Sequence, residues 1–235
     1  MPEPPQQRRR PRSPVQIPLA YWKEAAPQQL GGGWTYNLCE HGVGVELDES
    51  LRPWLPLGLR LVTPYGALDL RARVVWIGNL QLGGGTPHGL EFRQVPPPQR
   101  EFLEQYVQLL QGQARLAARF PLNLPAQCQL KSPPGPSLAG RTGNLSRGGA
   151  LLVLPEALPV GSVLGVTVRT AAGTAAVDGV IVWVDPPPER IPGAPIRHGL
   201  EYILLDWPTA IVLARVLAAG PPVRAAGGQG SEAAP

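Results

Sequence analysis

The stretch Asn144-Leu145-Ser146-Arg147-Gly148-Gly149, running straight into Ala150-Leu151-Leu152-Val153-Leu154, decides how this chain is read. A side-chain amide, a hydroxyl and two glycines make a tight turn. At Gly149 the missing β-carbon tolerates positive φ and allows another backbone or a ligand to come close. The apolar run that follows is short enough to be a buried strand, so the turn opens a sheet. On its own an N-x-S-x-x-G pattern marks an ordinary hairpin turn, with Asn and Ser bonding their own backbone. Upstream, however, lie Arg115 and Arg119, whose planar guanidinium forks suit phosphate, guanine edges and stacking on flat rings.

Working outward from that turn, the chain repeats itself. Laid on itself so that Arg8 falls on Arg115, it also brings Arg12 onto Arg119, Pro14 onto Pro121 and Pro18 onto Pro125. The same offset carries Asn37 onto Asn144, Gly42 onto Gly149 and Val75-Trp76 onto Val182-Trp183. After a short insertion, His88-Gly89-Leu90-Glu91-Phe92 matches His198-Gly199-Leu200-Glu201-Tyr202. One fold has been duplicated. The units expected are residues 8–112 and 113–220, between a disordered lead (1–7) and a disordered Ala/Gly/Pro-rich tail (221–235).

Within each copy the periodicity is that of strands. Leu122, Leu124, Ala126, Cys128 and Leu130 alternate with other residues, the pattern of a half-buried strand. Further β-like runs at 42–47, 57–62, 67–77 and 89–95 have counterparts at 150–154, 162–170, 174–184 and 199–205. Short strands at this spacing, broken by Pro/Gly turns, predict a small antiparallel barrel or sandwich. The 30 prolines and 28 glycines, close to a quarter of 235 residues, fit that picture, while 43% hydrophobic content and six tryptophans require packed cores. Each copy closes with a helix. Residues 99–111 follow Pro96-Pro97-Pro98 and place Phe102, Leu103, Tyr106, Leu109 and Leu110 on one stripe, with Gly112 as the cap. Residues 207–219 follow Asp206, a suitable N-cap, with Pro208 in the first turn. The run Ile211-Val212-Leu213 is apolar enough to need a barrel or the other unit to pack on.

Taken together, the arginine pair, the turn and the β-region resemble the PilZ domain, a bacterial receptor module for cyclic di-GMP, and the likeness spans residues 8 to 219. The resemblance implies two tandem six-stranded antiparallel β-barrels, mainly β, each followed by a helix. It also implies a non-enzymatic receptor that regulates a partner protein in motility, exopolysaccharide production or gene expression. The ligand is a flat ring of two guanines and two phosphates, so a receptor needs cations, stacking planes and a group that reads a guanine edge. Arg115 and Arg119 are the expected forks and Asn144 the expected edge reader. Ser146 is expected to donate to phosphate or base, Gly149 to permit close approach, and Arg147 to add a third positive charge. Asn has one accepting oxygen, whereas the carboxylate found in other members accepts from both guanine donors. The bland reading of the arginines is a solvated pair at a helix end.

The first copy offers a weaker second site: Arg8, Arg12, Asn37, Cys39 and Gly42. Cys39 stands where Ser146 stands and is a poorer hydrogen-bonding group, while Glu40 adds negative charge where a phosphate is expected. Other chemistry lacks a basis. His41, His88 and His198 with Cys39 and Cys128 show no metal-ligand spacing, and His88 and His198 read as structural or edge residues. Gly83-Gly84-Gly85 lacks the lysine and hydroxyl of a phosphate loop. Trp76 and Trp183 are expected in the cores. No nucleophile with its base can be assembled, and no enzyme, metal or cofactor is expected. The thiols are expected reduced in a cytoplasmic protein with neither signal segment nor membrane insertion. The net charge of +4 with scarce lysine makes nucleic acid an unexpected partner, the rival readings being a nucleic-acid binder and a ligand-free interaction scaffold.

Overall fold

A computed structural model describes residues 12–80, 84–112, 117–132, 134–186 and 194–219. Arg8, Arg115, the lead and the tail lie outside the described residues, and with them the expectation that both ends are disordered.

The first copy comprises β1 (Ser13–Pro14), β2 (Pro18–Lys23), β3 (Ala26–Cys39), β4 (Gly42–Leu47), β5 (Pro56–Thr63), β6 (Gly66–Ile77), β7 (Thr86–Arg93) and the helix α1 (Pro97–Gln111). The second comprises β8 (Phe120–Pro121), β9 (Pro125–Ser132), β10 (Pro134–Leu145), β11 (Gly149–Leu154), β12 (Val163–Thr170), β13 (Gly173–Val184), β14 (Ile196–Leu204) and α2 (Trp207–Ala218). In the first, the order β3-β2-β5-β6-β7-β4 returns to β3 through the β3–β4 pairing, which closes a six-stranded antiparallel barrel. In the second, β10-β9-β12-β13-β14-β11 closes in the same way through β10–β11. Closure removes the open edges that would otherwise template aggregation. The two-residue strands β1 and β8 add only to the outside of β3 and β10.

Alternation sets which residues turn inward. Leu57, Leu59 and Leu61 of β5 are fully buried, as are Val43, Val45 and Leu47 of β4. In the second barrel, Leu164, Val166 and Val168 of β12 and Ala150, Leu152 and Leu154 of β11 take those places, with Ala126 and Cys128 of β9 beside them. Several glycines lie on the outward or crossing positions for a steric reason. A β-carbon on Gly42 would lie 2.4 Å from the Leu90 carbonyl oxygen, and one on Gly149 would lie 2.2 Å from that of Leu200. The two copies therefore cross β4 over β7 and β11 over β14 at the same tight point.

The helices differ from the sequence expectation at their ends, while α2 packs on both of the surfaces expected for it. α1 starts earlier than predicted, at Pro97, because a proline in the first turn forfeits no helical hydrogen bond. Its buried face is Leu103, Tyr106, Val107 and Leu110, and Leu109 is half exposed. The stripe thus runs through Val107, and Leu109 falls off it by helical rotation. α2 is capped by Asp206, whose carboxylate accepts from the Thr209 backbone N–H at 2.9 Å. It packs against β2, β3 and β5 of the first barrel and β13 of the second, so the second copy's helix is wedged between the two barrels. The fully buried Trp34 donates its indole N–H to the Ala210 carbonyl at 2.8 Å, and Arg215 reaches Asp48 at 2.7 Å. Ile211, Leu213 and Leu217 are buried along this seam. Each buried side chain of that size contributes about 1.5–3 kcal/mol, against about 0–1 kcal/mol for a partly exposed ion pair, so apolar contact holds the wedge.

Candidate ligand-binding groove

The strand β8 brings the arginine segment to the turn. Pro121 pairs with Asn144 and Phe120 with Leu145, which brings Arg119, one residue earlier, level with the start of the turn, where it lines the same groove as Asn144 and Ser146. The first copy reproduces this register, with Pro14 opposite Asn37 and Ser13 opposite Leu38. There Arg12 donates to the Asn37 side-chain oxygen at 3.5 Å, and the same oxygen takes the Gly44 N–H at 3.2 Å. The arginine segment of the second copy is also tied back to the first. Ala117 forms a parallel bridge with Gln16, and the Ala118 N–H reaches the Gln16 carbonyl at 3.2 Å.

The turn itself is held by Ser146. Its backbone N–H donates to the Gly149 carbonyl at 2.9 Å, while its hydroxyl accepts from the N–H groups of Gly148 and Gly149 at 3.3 and 3.1 Å. In this state the nearly buried hydroxyl therefore serves the turn. The hydroxyl also donates to the Gly149 carbonyl at 3.1 Å, and the Cys39 thiol repeats that one bond more weakly, donating to the Gly42 carbonyl at 3.4 Å. Of the two liberties a glycine allows at position 149, positive φ and close approach, the turn uses close approach. Among the described glycines positive φ belongs to Gly66, Gly161 and Gly173, and Gly149 is required by the crossing over Leu200. Arg147 points away from the other candidates. It pairs with Glu46 of β4 and lies 6.0 Å from the rings of both Trp34 and Trp207, mostly buried at the junction of the barrels.

Between β8, the turn and the outer ends of β13 and β14 lies an open groove of about 720 Å³. Arg119, Asn144, Ser146, Gly148 and Gly149 line one side, and Val182, Trp183, Arg197, Gly199 and Glu201 the other. Four of the six residues expected at this site, Arg119, Asn144, Ser146 and Gly149, meet in the groove. Arg147 faces the first barrel instead, and Arg115 lies outside the described residues.

Two residues on the far wall escaped the sequence reading. Trp183 is 42% exposed and Trp76 is 51% exposed, so neither is a core residue. The cause is a register shift in each barrel, between Ile181 and Trp183 in β13 and between Val74 and Trp76 in β6. Each shift breaks the alternation and turns the indole outward, over Gly199 or Gly89. Arg197 lies with its guanidinium 5.9 Å from the Trp183 ring and is held by Asp185, whose oxygens accept from Nη2 at 3.0 Å and Nε at 3.1 Å. The Arg197 side chain and backbone N–H hold the Asp185 carboxyl below the usual carboxylate range. The signal was present in the repeat, since the first copy has Gly78 and Pro87 at these places.

His88 and His198 are fully buried and structural. Each accepts a backbone N–H at Nε2, from Leu51 and Leu158 respectively, both at 3.0 Å. Each Nδ1 faces a carbonyl, that of Thr86 or Ile196. Burial lowers the His88 pKa, which keeps the ring neutral. Among the described residues no three His, Cys, Asp or Glu side chains gather as a metal site would require, and no helix is long and apolar enough to cross a membrane.

The family model for the PilZ domain matches residues 6–109 and again residues 113–218. No curated protein matches the chain in sequence. Among solved structures, the PilZ domain with c-di-GMP of YcgR from Escherichia coli is 15% identical, with a TM-score of 0.40 over 45% of this chain and 92% of that one. The Borreliella burgdorferi PlzA protein in complex with c-di-GMP is 12% identical, with a TM-score of 0.37 over 87% of each chain. The Bacillus subtilis inhibitor of motility MotI/DgrA is 14% identical, with a TM-score of 0.35 over 88% of this chain and 98% of that one.

Proposed function

The chain belongs to the PilZ domain family, twice over, and on that footing we propose that its second barrel is a receptor for cyclic di-GMP. The observation that carries the proposal is the groove in which Arg119, Asn144, Trp183 and Arg197 converge. Arg119 supplies a fork for a phosphate or a guanine edge, joined by Arg115 from the same segment. Asn144 reads the Watson–Crick edge through its amide, Trp183 offers a stacking face, and Arg197 extends that face with a cation. Gly148 leaves open space on the turn, since a β-carbon there would meet nothing within 4 Å. The Ser146 hydroxyl keeps the turn in shape and can donate to an anion only by giving up its own bond to the Gly149 carbonyl at 3.1 Å.

The protein acts without catalysis, as an effector of two units, residues 8–112 and 113–220. Arg119 lies two residues from Ala117, which is bridged to Gln16 of the first copy, and Arg147 in the turn is paired with Glu46. A ligand that clamps Arg119 onto the turn therefore bears on both contacts and on the wedge of α2. It shifts the arrangement of the barrels by as much as its affinity differs between the two arrangements. The readout is a partner protein in motility, exopolysaccharide production or gene expression.

The first barrel is not a ligand site in this reading. Its Asn37 oxygen is already engaged by Arg12 and Gly44, and Glu40 stands at the turn. Calorimetric titration of the full chain with cyclic di-GMP, with GMP as control, tests the assignment. Saturable heat with the dinucleotide alone is expected, and its absence at millimolar ligand overturns the receptor reading.

A further inference from the structure

We propose that the outer face of the first barrel, centred on Trp54 and the arginines of β6 and β7, is a docking surface for an acidic segment of a partner protein. Two local rules of stability are broken there and kept in the twin barrel. Trp54 has φ 65°, the left-handed conformation that a bulky side chain rarely adopts. The equivalent residue of the second barrel is Gly161, at φ 91°, and both make the same bond: Trp54 N–H to Val74 and Gly161 N–H to Ile181, each at 2.8 Å. The turn needs a glycine and the first barrel has a tryptophan. That indole is not there for the core, being 65% exposed.

The second breach is electrostatic. Arg71 of β6 and Arg93 of β7 are direct cross-strand partners, and like charges in that position destabilise a sheet. The second barrel has Asp178 opposite Leu204 at the same place. Arg73 lies between, its guanidinium 4.8 Å from the Trp54 ring centre, and bonds Glu91 at 2.5 Å, while Arg93 stands 3.7 Å from the same carboxylate. Val75, 40% exposed, continues the outward row of β6. Strain and like-charge contact retained on a surface mark a functional site rather than a packing solution.

The composition identifies the occupant. Tryptophan and arginine are the residues that dominate binding energy at protein interfaces. Arg60, Arg71, Arg73 and Arg93 stand against Asp69, Glu91 and Glu24, and Arg60 already takes up Asp69 at 2.7 and 2.8 Å, so the patch keeps one net positive charge beside the indole and the complementary segment is acidic with an apolar notch for it. The surface gives the partner of the proposed effector its chemistry, yet it does not depend on the ligand groove of the other barrel.

The test uses the full chain without dinucleotide, so its failure leaves the receptor assignment standing. Fluorescein-labelled peptides rich in Glu and Asp with isolated Leu or Phe are titrated by polarisation, alongside Lys-substituted counterparts and a labelled DNA duplex. An acidic peptide is expected to bind saturably and to weaken as salt rises. It should lose at least about tenfold in affinity with Trp54→Gly and with Arg71→Gln/Arg93→Gln. Trp54→Gly should melt at the same temperature as the parent or higher, since glycine relieves the left-handed turn. A lower melting temperature would make Trp54 a structural residue and overturn the proposal. So would equal binding by the variants, binding of the duplex alone, or no binding of any acidic peptide.

Discussion

The two barrels share a register almost residue for residue, yet they present different chemistry to solvent. Both pair the proline after the second arginine with the asparagine of the turn, both cross a glycine over a neighbouring strand, and both pin a loop with a buried histidine. They part in the turn, along the groove wall and in the loop before β5 and β12. Cys39-Glu40-His41 stands against Ser146-Arg147-Gly148, Gly78 and Pro87 against Asp185 and Arg197, and Trp54 against Gly161. The duplication preserved what closes a barrel and let the turn, the groove wall and the loop before β5 and β12 diverge. The second barrel has a groove with a fork, an amide, an indole and a buttressed arginine, while the first has its asparagine engaged and a basic aromatic face elsewhere.

Breaking the comparison at its strongest point means removing the fork. Arg119→Ala is expected to weaken cyclic di-GMP binding by roughly 2–4 kcal/mol, about 30- to 1000-fold by calorimetry, through loss of charge-assisted bonds. Arg12→Ala should leave affinity within about twofold, and an equal loss in both would erase the distinction between the copies. Tryptophan sharpens the same contrast. Trp183→Ala should forfeit one stacking face, about 1–3 kcal/mol, whereas Trp76→Ala should leave binding unchanged. Where the barrels agree, they should fail alike. Gly149→Ala and Gly42→Ala each press a β-carbon into a carbonyl oxygen and should lower unfolding free energy by about 1–3 kcal/mol in denaturant titrations. A neutral outcome at one position alone would show that its crossing relaxes. The smallest effect concerns thiols. Burial pushes Cys128 up to about 11, and Cys39 is only half-buried, so a thiol reagent near neutral pH should label Cys39 first, as read by peptide mass spectrometry.

Much of this was legible in the sequence because strands and repeats write a simple period. The alternation through Ala126 and Cys128 names the inward row of β9, and the self-alignment carries the register from one barrel to the other. Asp206 is visible as a helix cap because its mechanism is local. What stayed hidden depends on contacts between distant segments. A bulge in each barrel cannot be seen in the residues that form it, so Trp76 and Trp183 looked like core. Arg147 looked like a ligand contact because its motif places it there, whereas Glu46, Trp34 and Trp207, drawn from three other elements, decide where it points. The apolar excess of α2 announces a packing surface, but only the fold shows that it takes two, β13 of its own barrel and β2, β3 and β5 of the other. Arg197 could have been found by asking where the two copies differ rather than where they agree.

The account stands or falls on which barrel holds the dinucleotide, and photo-crosslinking with an azido-guanine analogue of cyclic di-GMP reads that directly. After irradiation and proteolysis, adducts are predicted on peptides covering Arg119, residues 144–149 or Trp183, and excess unlabelled ligand should suppress them. Adducts confined to peptides covering Arg12, residues 37–42 or Trp76 would contradict it.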